Sequence, residues 1–157
     1  MKEKIFYFDI DGTVLEGDTG RCKQALASGA LERAVKACGF DQVICVGNLC
    51  YIISSLEEMG ERVEPMRMVF EICGGAFADL RWMEQNLQLM KNPTARGSYM
   101  DFQSSFYYVD DLAEYYLRMA GLSNVFEMHA GKRILVPEPN STGTEILSWL
   151  DWCARQE

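Results

Sequence analysis

Residues 5–10, in the stretch KIFYFDIDGTV, place Ile5, Phe6, Tyr7 and Phe8 side by side with no polar residue between them. A strand with one wet face alternates apolar and polar side chains. A strand apolar on both faces must be covered on both sides, as in a parallel sheet. The chain therefore has to supply helices for two faces of a sheet. The same run ends on Asp9 and Asp11, two residues apart, with Gly12 and Thr13 following. Two adjacent carboxylates repel, so folding alone gives little reason for them.

The remaining pattern supplies the helices. Residues 16–29 are rich in Gly, Asp and Ser and read as a loop, with 14–29 a possible flap. Residues 30–38 read as a helix with Leu31, Ala34, Val35 and Cys38 on one face and Gly39 as its stop. Residues 43–46 read as a second buried strand, 49–59 as a helix before Gly60, and 78–90 as a further helix. The intervening RMVFEIC suits either a strand or the start of a helix, and KNPTARGS reads as a loop by its Pro, Gly and Ser. Strands are expected at 106–109, 125–128 and 134–136, and a helix at 112–119. Thr142 and Glu145 are spaced as a capping box opening a C-terminal helix to about residue 155. Strands alternating with helices predict an α/β fold: a three-layer, doubly wound parallel sheet with a Rossmann-like core. In such sheets ligands bind beyond the carboxyl ends of the strands. Three expected strand ends carry polar or flexible residues there: Asp9 to Gly12, Gly47-Asn48 and Asp110-Asp111.

A length of 157 residues suits one domain spanning 1–157, without room for a large cap domain. Net charge of −8 argues against a basic nucleic-acid stripe and against attraction to an anionic membrane. It leaves an anionic substrate open, because a bound divalent cation reverses the local field. No apolar run approaches the roughly 18 residues of a membrane span. Lys2 and Lys4 precede too short an apolar stretch for a signal peptide. Six cysteines without a CxxC, and a single histidine, read as buried free thiols in a reducing cytoplasm rather than a zinc site or disulfide framework.

FDIDGTV matches the first motif, hhhhDxDGT, of the haloacid dehalogenase superfamily, and FYYVDDLAEYYLRMAG resembles its fourth, a strand ending in an acidic pair and then a helix. The resemblance implies a Mg²⁺-dependent phosphatase acting through an aspartyl-phosphate. Asp9 is then the nucleophile and Asp11 the general acid and base, its backbone carbonyl also touching the metal. Thr13 braces the loop and is grouped with the phosphate site. Asp111 is the first choice of metal ligand from the acidic pair, with Asp110 assisting; Asp9, Asp11, Asp110 and Asp111 thus form the expected Mg²⁺ set. Glu114 falls where some relatives keep another acidic residue. The family's hydroxyl after its second strand is replaced here by Gly47, so the N–H groups of Gly47 and Asn48 and the Asn48 amide are the expected phosphate donors. Lys91, read as following a helix, is the expected phosphate-site lysine. A small or absent cap implies an open site, which in this family goes with a larger substrate or with a partner that covers the site; the expected ligand is a phosphorylated small molecule or a larger phosphorylated substrate.

Other readings compete. A non-catalytic module on the same fold, binding Mg²⁺ and a phosphate-like ligand or a protein partner, fits the missing hydroxyl. A phosphorylation-sensing receiver shares the residue types but separates its acidic pair from its acceptor by strands. A calcium loop would place its glycine differently and close on an acidic residue. Arg21 and Arg96 could contact substrate but read as solvated cations, His129 reads as structural, and Phe102, Phe106, Tyr107 and Tyr108 read as core and rim rather than a base-stacking platform.

Overall fold

The computed structural model describes residues 2–156. Five parallel strands form one sheet: β1 (Lys4–Phe8), β2 (Gln42–Cys45), β3 (Leu87–Leu89), β4 (Ser105–Val109) and β5 (Ile134–Leu135), in the order β3-β2-β1-β4-β5. The helices are α1 (Ala30–Cys38), α2 (Asn48–Glu58), α3 (Pro65–Ile72), α4 (Leu80–Asn86), α5 (Ala113–Met119), α6 (Ser123–His129) and α7 (Thr144–Ala154). This is the α/β doubly wound architecture that the two-sided apolar strand predicts.

Both faces of the central strands are indeed covered. Phe6, Phe8, Val43, Cys45, Tyr107 and Val109 pack on one side with Leu31 and Val35 of α1 and Ile146 and Leu150 of α7. Ile5, Tyr7, Phe106 and Tyr108 pack on the other with Ala113 and Leu117 of α5, Met100, and Val125 and Phe126 of α6. Every residue of β1 is buried. Lys4 opens β1 with its ammonium inside, donating to the carbonyls of Cys38, Cys153 and Gln156 at 2.8, 2.8 and 3.1 Å. One buried cation thereby satisfies carbonyls at the ends of α1 and α7 that have no intrahelical partner.

Several expectations change. RMVFEIC is helical, within α3 and its end; Pro65 opens that helix, where its missing N–H is harmless. The helix expected over 78–90 stops at Asn86, and Leu87–Leu89 pairs with β2 as an edge strand. Leu-Gln-Leu has period two, and the bare edge of β2 needs ladder partners. The strand expected at 125–128 is instead α6, whose Val125 and Phe126 are held against the second core. The Thr142–Glu145 capping box is absent: Gly143, at φ +93°, caps α7, while Glu145 is bonded by the Ser141 hydroxyl. The strand expected at 134–136 is present as β5, and KNPTARGS, outside strands and α-helices, forms tight 3-10 turns over Pro93–Tyr99. All six cysteines are free thiols, five of them buried. Among the described residues no helix is long and apolar enough to cross a membrane.

Candidate active site

The parallel register builds the site. Phe8 pairs with Val109, so the next residues, Asp9 and Asp110, leave adjacent strands side by side. The Asp9 N–H donates to the Val109 carbonyl at 3.1 Å, extending the ladder by one bond. Beyond Asp9 the chain turns. The N–H groups of Thr13, Val14 and Leu15 all converge on the Ile10 carbonyl at 3.1, 2.9 and 3.0 Å, and Gly12 takes φ +78°. The extended geometry that would point Asp9 and Asp11 the same way therefore ends before Asp11. Asp9 is 5% exposed, whereas Asp11 is exposed and its side chain lies outside the carboxylate cluster.

That cluster is Asp9, Asp110 and Asp111, one oxygen from each lying within 4.8 Å of the other two. Thr13 is buried between two of them. Its hydroxyl donates to Asp9 Oδ2 at 3.4 Å and accepts the Asp111 N–H at 3.0 Å, so it braces the first loop against the β4 end. Burial, then the neighbouring Asp110, holds the Asp9 carboxyl well above the usual aspartate range, against the pull of Arg96. Burial also raises Asp111, an effect that the neighbouring Asp9 carboxyl partly offsets. Asp111 Oδ1 is buried and has no hydrogen-bond partner. An orphaned carboxylate oxygen is costly. A hard cation that prefers oxygen ligands would satisfy it, so these residues fit Mg²⁺.

Asp110 is differently placed. It is fully buried, and both its oxygens are occupied: Oδ2 accepts from Arg96 Nη1 at 2.8 Å and from the Tyr108 hydroxyl at 2.6 Å, and Oδ1 from the Leu112 N–H at 2.9 Å.

Arg96, read as solvated from its loop-like surroundings, is 1% exposed. Its Nη1 also donates to Asp9 Oδ1 at 3.3 Å, its Nε donates to the Pro93 carbonyl at 2.8 Å, and the guanidinium lies 3.7 Å from the Tyr116 ring centre. Sequence spacing missed it because the arginine arrives on tight turns rather than at a strand end. The one available signal was NPTARG itself, a Pro-Gly segment that can turn a long side chain inward. Lys23 was missed for the same reason. It is fully buried under the first loop, donating to the carbonyls of Gly12 and Glu138 at 3.0 and 2.8 Å and to the Ser141 hydroxyl at 3.2 Å.

Gly47 caps the N-terminus of α2 and leans on the site. A Cβ there would stand 2.8 Å from Asp9 Oδ1 and 3.3 Å from the Ile10 nitrogen. Glycine thus lets the start of α2, whose first N–H groups have no intrahelical partners, approach Asp9. Asn48 is exposed at the first position of α2. Lys91 follows strand β3 rather than a helix; it is exposed and lines a groove with Cys50, Ser54 and Glu57 of α2, and has no hydrogen bond or ion pair to the three aspartates. Arg21 is exposed, Glu114 pairs with Arg118 at 2.8 Å, and His129 sits edge-on to Phe106 at 5.1 Å, away from the cluster.

Comparisons with family models, with curated proteins and with solved structures give no match to this chain.

Proposed function

We propose that this chain is a phosphatase of the haloacid dehalogenase type that hydrolyses a phosphate monoester and requires Mg²⁺. The observation that carries the reading is the meeting of Asp9 and Asp111, about a hundred residues apart in sequence, beside a buried carboxylate oxygen that has no partner. The FDIDGTV and FYYVDDLAEYYLRMAG resemblances give that meeting its chemical sense. Asp9 and Asp111 would hold the cation, with the Asp11 carbonyl beside them. When bound, Mg²⁺ supplies positive charge that offsets the carboxylates and the phosphate oxygens.

This chain's residues divide the remaining work. Asp9 attacks phosphorus and takes the phosphoryl group, while the ester oxygen departs. Asp11, exposed at the mouth, gives that oxygen its proton. A water then attacks the phosphorus of the aspartyl-phosphate, Asp11 takes its proton, and free phosphate leaves with Asp9 restored. Thr13 fixes Asp9 relative to Asp111, and the start of α2 at Gly47 and Asn48 offers N–H groups to phosphate oxygens.

The test is phosphate release from a generic aryl phosphate, with Mg²⁺ and with EDTA, by the wild type and Asp9→Asn. Release that needs Mg²⁺ and vanishes in Asp9→Asn is the expected result. A second reading, a non-catalytic module binding Mg²⁺ and a phosphate-like ligand, draws on the Arg96 bond to Asp9 Oδ1, which engages the would-be nucleophile. It takes over if Mg²⁺ binds and a broad panel of phosphate esters stays intact.

A further inference from the structure

Among the described residues Lys4 and Lys23 are the buried lysines, and they stand at opposite ends of β1. Burying an ammonium is costly unless its donors are used. Lys4 spends its donors on carbonyls at the ends of α1 and α7. Lys23 closes no helix. Its acceptors lie on two loops: the Gly12 carbonyl at 3.0 Å on one, the Glu138 carbonyl at 2.8 Å and the Ser141 hydroxyl at 3.2 Å on the other.

The Gly12 carbonyl belongs to the peptide unit that joins Gly12 to Thr13. The other side of that unit is held as well, because the Thr13 N–H donates to the Ile10 carbonyl at 3.1 Å. Lys23 and Ile10 together fix the peptide plane. Gly12, at φ +78°, has no Cβ to resist rotation, so the fixing falls to these two bonds. Asp11 comes directly before this unit and is exposed; among the described residues no side-chain hydrogen bond holds its carboxylate. The direction of that carboxylate is therefore set by the backbone around it.

The far side of Lys23 is anchored. The Ser141 hydroxyl that accepts from Lys23 donates to Glu145 in the first turn of α7. The same loop clasps the flap: the Gly17 N–H donates to the Pro139 carbonyl at 3.0 Å, the Ala25 N–H to the Thr142 carbonyl at 2.8 Å, and the Asn140 amide to Asp18 Oδ2 at 2.9 Å. Gly143 leaves room for the lysine stem, since a Cβ there would stand 3.2 Å from Lys23 Cβ. A continuous tie thus runs from Gly12 through Lys23 and Ser141 to Glu145.

We propose that Lys23 is a positioning residue for Asp11: through the Gly12–Thr13 peptide it sets the direction in which the general acid presents its proton, and Ser141 and Glu145 hold the lysine for that task. The proposal rests on the phosphatase reading for the role of Asp11. It adds a part that lies in neither motif, drawn from the flap and from the loop before α7.

Leaving-group dependence tests it. A nitrophenyl oxygen leaves as a stable anion and gains little from a proton, whereas an alkyl oxygen needs one. The quantity to compare is kcat/KM, which covers the steps up to departure of that oxygen. It is measured with Mg²⁺ for nitrophenyl phosphate and a panel of alkyl phosphates in the wild type, Lys23→Met, Glu145→Gln and Lys4→Met. Lys4→Met removes a buried ammonium of the same kind at the far end of β1 and leaves the Asp11 loop untouched. Lys23→Met should lower kcat/KM for the alkyl esters by about tenfold to a hundredfold, and for the aryl ester by no more than about threefold. Glu145→Gln should shift the ratio in the same direction by less, and Lys4→Met should leave it at the wild-type value. Hydrogen exchange of the amides of residues 10–15 should quicken in Lys23→Met and not in Lys4→Met. If circular dichroism shows Lys23→Met unfolded, Glu145→Gln carries both measurements. An unchanged ester ratio, a ratio shifted equally by Lys4→Met, or unaltered exchange over residues 10–15 overturns the assignment and leaves the phosphatase reading standing. A wild type that hydrolyses only the aryl ester has no working general acid and overturns it too. A wild type inert to every ester sinks the phosphatase reading and the role of Lys23 with it.

Discussion

A Cβ at position 12 would sit 2.2 Å from Asp111 Oδ2, and the backbone there is left-handed at φ +78°. Only glycine meets both demands, which gives Gly12 a role beyond the turn: it lets Asp111 close over the first loop. Gly12→Ala should therefore incur the left-handed backbone cost of about 1–2 kcal/mol and also displace Asp111. Gly20, at φ +67° with nothing near its missing Cβ, isolates the backbone cost alone. Urea unfolding should show Gly12→Ala destabilised more than Gly20→Ala, and only Gly12→Ala should lose Mg²⁺ affinity. Equal losses in both variants would mean that the contact with Asp111 carries no weight. At this scale the sequence was legible where motif and geometry coincide. Asp9, Thr13 and Asp111, named from the two motifs, lie together at the ends of β1 and β4. Arg96 was not, because its burial depends on a Pro-Gly turn, on Tyr116 from α5 and on Asp110, three partners that no local pattern joins.

Among elements, the turn segment Pro93–Tyr99 matters most, since it delivers Arg96. It lies close against α5: a Cβ on Gly97 would be 2.9 Å from the Tyr116 carbonyl and 3.0 Å from Ala120 Cβ. Gly97→Val should push the segment off α5, with an overpacking cost of about 1–3 kcal/mol. Because Tyr116 also covers Arg96, which donates to Asp9 Oδ1, the same variant should weaken phosphate binding beside Asp9, whereas an equally destabilising change elsewhere should not. Thermal denaturation alongside phosphate titration separates these outcomes. The long, strongly patterned elements could be read from sequence: β1 from its unbroken apolar run, α1 from its 3.6-residue stripe and Gly39 stop, α2 from residues 49–59. The short ones could not. Three residues of β3 are too few for a period to declare itself against the preceding helix, and only the exposed edge of β2 decides that they are a strand. Likewise Val125 and Phe126 satisfy a strand pattern locally, but the second core recruits them as one face of a helix.

For the molecule as a whole, the carboxylate cluster links stability to protons. The Asp9 and Asp111 carboxyls are raised above their ordinary value of 3.8, in both cases first by burial. Between that value and the raised ones the folded state binds more protons than the unfolded state, so this cluster makes stability fall as pH rises through the window. If the cluster holds Mg²⁺ as proposed, the ion would reverse the penalty where the carboxylates are ionised and compete with protons where they are not. At about a hundredfold excess over its dissociation constant it should stabilise the fold by about 2.7 kcal/mol. Urea unfolding with Mg²⁺ or EDTA should show a larger gain in mildly alkaline than in mildly acidic buffer, and Asp111→Asn should remove most of it. A gain independent of pH would place the cation elsewhere on this acidic surface, whose net charge of −8 offers other sites.

Under the proposed phosphatase function, Asp9 itself carries the phosphoryl group. Acid-quenched protein, taken during turnover of a radiolabelled phosphate ester with Mg²⁺, can be digested and its peptides mapped. A hydroxylamine-sensitive phosphate is expected on the peptide containing Asp9, absent with EDTA and absent in Asp9→Asn. Turnover with no label on that peptide, or hydrolysis retained by Asp9→Asn, would contradict it.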